Sequence, residues 1–136
     1  MRGSLEQACG KWGEGMQREI TLLGSVVGER FSGDPVRAAD ALGVRIVRRP
    51  SDTLTAAYRP GERATIMLAP AVQATGWVTI GLAHHLLRHR GYPVYAYTSE
   101  GPAYPDTVAW REVQMFAREF LADDYHRRTM RRLNWG

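Results

Sequence analysis

The sequence predicts an α+β fold in one domain: N-terminal helices, a small three-stranded antiparallel sheet, a histidine-bearing helix and a long C-terminal helix. Three observations lead there. Apolar residues recur at three and four from Met16 to Phe31, the spacing of a helix with one buried face. Short extended runs follow between Val44 and Leu68, separated by turn residues. Helical character then returns after Pro70 and again after Asp106.

Each element has its own justification. Residues 1–15 are rich in Gly and polar types, which predicts a flexible start. The domain proper is expected over 16–131, with 132–136 as a tail. In the first helix Met16, Ile20, Leu23, Val26, Val27 and Phe31 form the apolar face. Gly33-Asp34-Pro35 interrupts it; Asp34 suits an N-cap and Pro35 a first helical position, opening a short helix over Val36–Leu42. Gly43 is its expected stop. Val44–Val47, Thr53–Tyr58 and Ala64–Leu68 read as strands, and Arg59-Pro60-Gly61-Glu62 as a turn, which together suggest an antiparallel meander. Trp77–Arg90 reads as a mostly apolar helix with Gly91 past its end. Tyr92–Pro105, with three prolines, one glycine and four tyrosines, reads as a long loop, either a groove wall or a surface loop pinned by its tyrosines. Asp106 can cap a last helix running to about Met130, with Val108, Val113, Phe116, Phe120 and Leu121 facing the core.

Composition narrows the class. The length of 136 residues, with 44% hydrophobic and 24% charged residues, fits one globular core. No apolar run approaches the ~20 residues of a membrane span, and Met1–Gly10 lacks a signal-peptide core. Cys9 is the only cysteine, so an internal disulfide is excluded and a cytoplasmic location is expected. The net charge of +4 resides in Arg127, Arg128, Arg131 and Arg132. This basic stretch suits either nucleic acid or the solvated, negative end of a helix dipole.

Three of the four histidines cluster as His84, His85 and His89. On a continuous helix His85 and His89 share one face, a two-ligand spacing for zinc. The residue after His85 is Leu86, so no H-E-x-x-H motif with its adjacent general base is present in that register. Glu112 lies among apolar neighbours on the last helix, where it can complete a metal site or pair with Arg111, Arg118 or Arg88. Trp77 and Trp110 can line a pocket or fill the core.

The order of these segments resembles the ImmA/IrrE metallopeptidase family. Members show A-x-x-L-G-I-x-V, a strand ending in Asn-Pro, F-T-L-A-H-E-L-G-H-L-L-L-H and, after a loop, E-A-N-x-F-A. This chain has Ala39-Asp40-Ala41-Leu42-Gly43-Val44-Arg45-Ile46-Val47, then Leu68-Ala69-Pro70. It continues with Trp77-Val78-Thr79-Ile80-Gly81-Leu82-Ala83-His84-His85-Leu86-Leu87-Arg88-His89 and Glu112-Val113-Gln114-Met115-Phe116-Ala117. The resemblance covers about residues 16 to 122 and implies a zincin-like scaffold. In the ungapped register the second zinc histidine falls on His85, the trailing histidine on His89 and the third ligand on Glu112. The first zinc histidine falls on Gly81 and the catalytic glutamate on Leu82. A rival register makes His84 the first ligand but puts His85 at the base and Arg88 at the second histidine.

Either way no catalytic residue is left for the general base that hydrolysis needs. The resemblance therefore implies a catalytically inactive relative that binds a protein or peptide, such as a helix-turn-helix regulator of a phage or mobile element. The expected groove lies between the histidine helix, the strands and Tyr92–Pro105. No cofactor is then expected. The first alternative is a zinc peptidase with a rearranged site on His85, His89 and Glu112, assisted by His84 or Asp106. The second is nucleic-acid binding through Arg127, Arg128, Arg131 and Arg132. Gly81 within a helix costs ~1 kcal/mol relative to Ala, which implies either close packing or drift.

Overall fold

The computed structural model describes residues 2–122, with side chains from residue 15 onward. The C-terminal arginines, the tail and the expected helical stretch near Met130 lie outside the described residues. Among the described residues four helices accompany a five-stranded mixed sheet, with α3 packed on β2 and β3, α2 on α3, and α4 between α3 and α1. The helices are α1 (Arg2–Arg30), α2 (Pro35–Ala41), α3 (Ala74–Leu86) and α4 (Thr107–Phe120). The strands are β1 (Arg45–Arg48), β2 (Ala56–Arg59), β3 (Thr65–Leu68), β4 (Tyr95–Thr98) and β5 (Gly101–Pro102), in spatial order β1-β3-β2-β4-β5.

The sheet corrects the expected three-stranded meander twice. β1 runs parallel to β3, pairing Arg45 with Thr65 and Val47 with Met67, so it does not join β2. The segment from residue 49 to 55 makes this crossing. Tyr92–Pro105 is not a free loop: β4 joins β2 antiparallel, with Tyr58 opposite Tyr95 and Ala56 opposite Tyr97, and β5 turns back on β4. Alternation puts Tyr95 and Tyr97 on the helix-covered face. On that face Ile66, Leu68, Tyr58, Ala56, Tyr95 and Tyr97 are buried.

The helix ends are made as local chemistry dictates. Oδ1 of Asp34 accepts hydrogen bonds from the amides of Val36 and Arg37, and Asp106 Oδ1 accepts one from Ala109; both are N-caps as expected. Gly43 ends α2 at φ +73, where its amide donates to Asp40 and that of Val44 to Ala39. One guanidinium nitrogen of Arg48, Nη1, donates to the carbonyls of Ala69, Pro70 and Val72 at 2.8–3.1 Å. It thereby ties the end of β1 to the chain entering α3.

Three packing expectations need correction. α1 begins at Arg2, well ahead of Met16, and turns Met16 and Val26 outward. Ile20, Leu23, Val27 and Phe31 do pack on the core as expected, and small residues let α1 approach α4 closely. A Cβ on Gly24 would lie 2.6 Å from the Phe116 carbonyl oxygen, and one on Gly28 2.6 Å from that of Phe120. Apolar spacing alone does not reveal a face built on close backbone approach. On α4, Val108 is 63% exposed and Leu121 caps the helix end, while Val113, Phe116 and Phe120 fill the core. Within the described residues α4 ends at Phe120. Among the described residues no helix is long and apolar enough to cross a membrane.

Candidate functional site: a buried histidine and tyrosine network

α3 delivers the histidines, but not on one continuous helix. It ends at Leu86, and Arg88 adopts the left-handed conformation at φ +56. The Arg88 amide donates to the His85 carbonyl and the His89 amide to the His84 carbonyl. This is a Schellman turn with arginine where glycine is usual. His89 is thereby folded back beneath the end of α3, and the shared face expected for His85 and His89 is lost.

The turn brings the His89 ring to His84. Their Nδ1 atoms are 2.9 Å apart, and His89 Nε2 lies 2.8 Å from Glu112 Oε1 on α4. His84 Nε2 is hydrogen-bonded to the Tyr97 hydroxyl, which is 2.6 Å from that of Tyr104. The result is an unbroken chain: Glu112, His89, His84, Tyr97, Tyr104. His84 is fully buried, stacked against Tyr95 at 4.3 Å between centroids and against Tyr58 on a plane within 7°. Trp77 and Trp110 each pack on Tyr97 at 5.4 Å, so they belong to the core of this cluster. His85 diverges from the chain: its Nδ1 is 2.9 Å from the Tyr58 hydroxyl.

Burial sets the charge states. Desolvation, with the neighbouring His89, pushes His84 down to about 3, so it is neutral near pH 7. Burial and the Arg90 guanidinium also lower His85. Desolvation raises Tyr97 strongly and Tyr58 to about 12. A neutral His84 has one N–H and one lone pair, and the chain accommodates this in two ways. With His89 doubly protonated, protons are donated outward from His89 to His84, then to Tyr97 and Tyr104. With His89 neutral and its Nε2–H on Glu112, Tyr104 donates to Tyr97, Tyr97 to His84 and His84 to His89. Every nitrogen is satisfied in both.

These residues do not fit a family-type zinc site. Two imidazole nitrogens on one tetrahedral zinc, each about 2.0–2.1 Å from the ion, stand about 3.3 Å apart and carry no proton between them. Here the two Nδ1 atoms are in hydrogen-bond contact. Glu112 meets the opposite nitrogen of His89, on the far side of the ring from His84. Asp106 is engaged as the α4 cap. Among the described residues no group of three His, Cys, Asp or Glu side chains is placed to hold a metal ion.

The two motif positions occupied by other residues are core. Leu82 is fully buried. A Cβ on Gly81 would lie 2.5 Å from Ile66 Cγ1 and 2.6 Å from its Cδ1; close packing therefore accounts for glycine in mid-helix. The expected groove is filled as well, because Tyr95, Tyr97 and Tyr104 of the 92–105 segment close over His84. The tyrosines were visible in the sequence; the alternation of Tyr95-Ala96-Tyr97 was the available sign that they enter a sheet.

Among the described residues, two surface depressions bear on function. One, of about 190 Å³, is lined by Arg49, Pro50, Leu54, Ala57 and Met67 among others. It sits where the 49–55 crossing meets the uncovered face of the sheet. The other, of about 580 Å³, lies between the β2–β3 turn and the chain from Arg90 to Val94. Comparison of the chain with family models, curated proteins and solved structures finds no match.

Proposed function

We propose that this chain is a non-hydrolytic, zincin-like relative of the ImmA/IrrE peptidases that binds an extended segment of a protein partner along β1. The kinship rests on the order and spacing of the quoted motifs. The absence of hydrolysis is supported by the core packing of Gly81 and Leu82. It is supported too by a His84, His89 and Glu112 set whose polar atoms satisfy one another.

The observation that carries the binding role is the open edge of β1. Its partner β3 lies on one side only, and among the described residues no strand pairs on the other. The amides of Arg45 and Arg49 donate to Ala64 and Leu68, so alternation turns the backbone groups of Ile46 and Arg48 to the free edge. A strand added there gains main-chain hydrogen bonds, with pockets beside it for alternate side chains. The apolar depression over Met67 and Ala57 lies on the same face as Val47, one strand inward. Arg45 and Arg49 flank the edge and favour an acidic segment. A regulator of the helix-turn-helix kind is the partner class that the family resemblance suggests.

The test uses peptides tiled from helix-turn-helix repressors and the variant Ile46→Pro. Proline removes the outward N–H while leaving the β1–β3 ladder intact, as edge strands allow. Bound peptide is expected to slow exchange of the Ile46 and Arg48 amides, and Ile46→Pro to abolish binding without unfolding. Undiminished binding by the proline variant would overturn the site, and cleavage of the peptide would overturn the non-hydrolytic reading.

A further inference from the structure

The larger depression carries charge that nothing in the fold uses. Between Val44 and Val94 the sequence places seven arginines against only Asp52 and Glu62. Two of them, Arg59 and Arg90, line this depression of about 580 Å³, and no acidic residue lines it. Arg59 leaves the end of β2, and Arg90 follows the turn that ends α3. Both are exposed, and neither forms an ion pair with a described carboxylate. Gly61 and Gly91 also line it. Gly61 holds φ +133, and a Cβ there would meet nothing within 4 Å, so the backbone at Gly61 is open to an approaching ligand.

We infer that this depression is an anion site for a phosphate monoester group. Two guanidinium groups brought to one concavity without a counter-charge repel each other, and a dianion between them relieves that repulsion. Planar guanidinium forks match the tetrahedral oxyanion by paired N–H donors. The volume exceeds that of a bare phosphate and leaves room for the group that bears it. The site sits at the opposite end of β3 from the apolar depression beside β1, so it stands or falls independently of the peptide reading.

Titration calorimetry of the whole chain with inorganic phosphate, with a phosphoserine peptide and with its unphosphorylated form tests the assignment, with chloride at equal ionic strength as reference. Arg59→Gln and Arg90→Gln are each expected to weaken phosphate binding about tenfold, the scale of losing one charged hydrogen-bonding group. Arg63→Gln, an exposed arginine outside the lining, is expected to change nothing. Binding of inorganic phosphate identifies a site for the free group; binding of the phosphopeptide alone identifies a protein-borne phosphate. No binding above chloride, or binding equally retained by Arg59→Gln, Arg90→Gln and their double variant, would overturn the inference.

Discussion

Nδ1 of His84 lies 2.9 Å from Nδ1 of His89, so one of these nitrogens bears a proton and the other a lone pair. A histidine pair disposed for a shared metal would offer two lone pairs. The same contact couples the protons of five side chains, from Glu112 to Tyr104, into one of two orders. Its stability consequences follow first from His84, a fully buried histidine kept neutral.

The first consequence is a pH dependence. His84 holds its proton only below about 3 in the folded chain, whereas an unfolded chain takes one up near 6.5. The folded pKa is depressed, so the unfolded state binds more protons between these values. The stabilising neutrality is complete above about pH 6.5 and is lost as pH falls toward 3. His85 shifts in the same direction. Urea unfolding between pH 7 and 5 should show stability falling by up to about 1.4 kcal/mol per pH unit from His84. The slope should be shallower in His84→Gln.

The two buried tyrosines at the end of the chain should differ. Tyr97 bridges His84 and Tyr104, so Tyr97→Phe leaves two buried partners unsatisfied and should cost about 1–3 kcal/mol. Tyr104→Phe leaves Tyr97 bonded to His84 and should cost less than about 1 kcal/mol. Thermal or urea unfolding of the two variants ranks them; equal losses would contradict the chain as drawn.

Gly81 and Ile66 form a coupled pair. Gly81→Ala drives a Cβ into Ile66 and should destabilise by about 1–3 kcal/mol. In an Ile66→Ala background the obstructing atoms are gone. There the same change should stabilise by about 1 kcal/mol, the helix preference of alanine over glycine. A double-mutant cycle measures the sign reversal.

Arg88 holds a conformation that costs an L-residue about 1–2 kcal/mol. Arg88→Gly should therefore raise stability by about 0.5–1 kcal/mol, part of the relief being offset by the freer unfolded chain. A lowered melting temperature would show that the arginine side chain contributes to the turn.

The sequence disclosed the elements that local chemistry determines. Asp34, Pro35 and Gly43 delimit α2, and Asp106 caps α4, because cap residues act within one turn. The first three strands were legible as runs, but their pairing was not, since no local signal distinguishes a crossing from a hairpin between Val47 and Thr53. The end of α3 was missed because Leu86, Leu87 and His89 continue a helical pattern and arginine carries no stop signal. That error moved His89 off the helix face and changed the apparent ligand pair into a hydrogen-bonded one. Tyr92–Pro105 was read through its prolines and its glycine, and the short alternation around Ala96 was outweighed.

Zinc content tests the central claim most directly. Chain purified without added metal, then equilibrated with zinc and desalted, is measured for metal per chain, and its unfolding midpoint is compared with and without chelator. The hydrogen-bonded network predicts no stoichiometric zinc and an unchanged midpoint. One zinc per chain, removed by combining His85→Ala with Glu112→Ala, would contradict it.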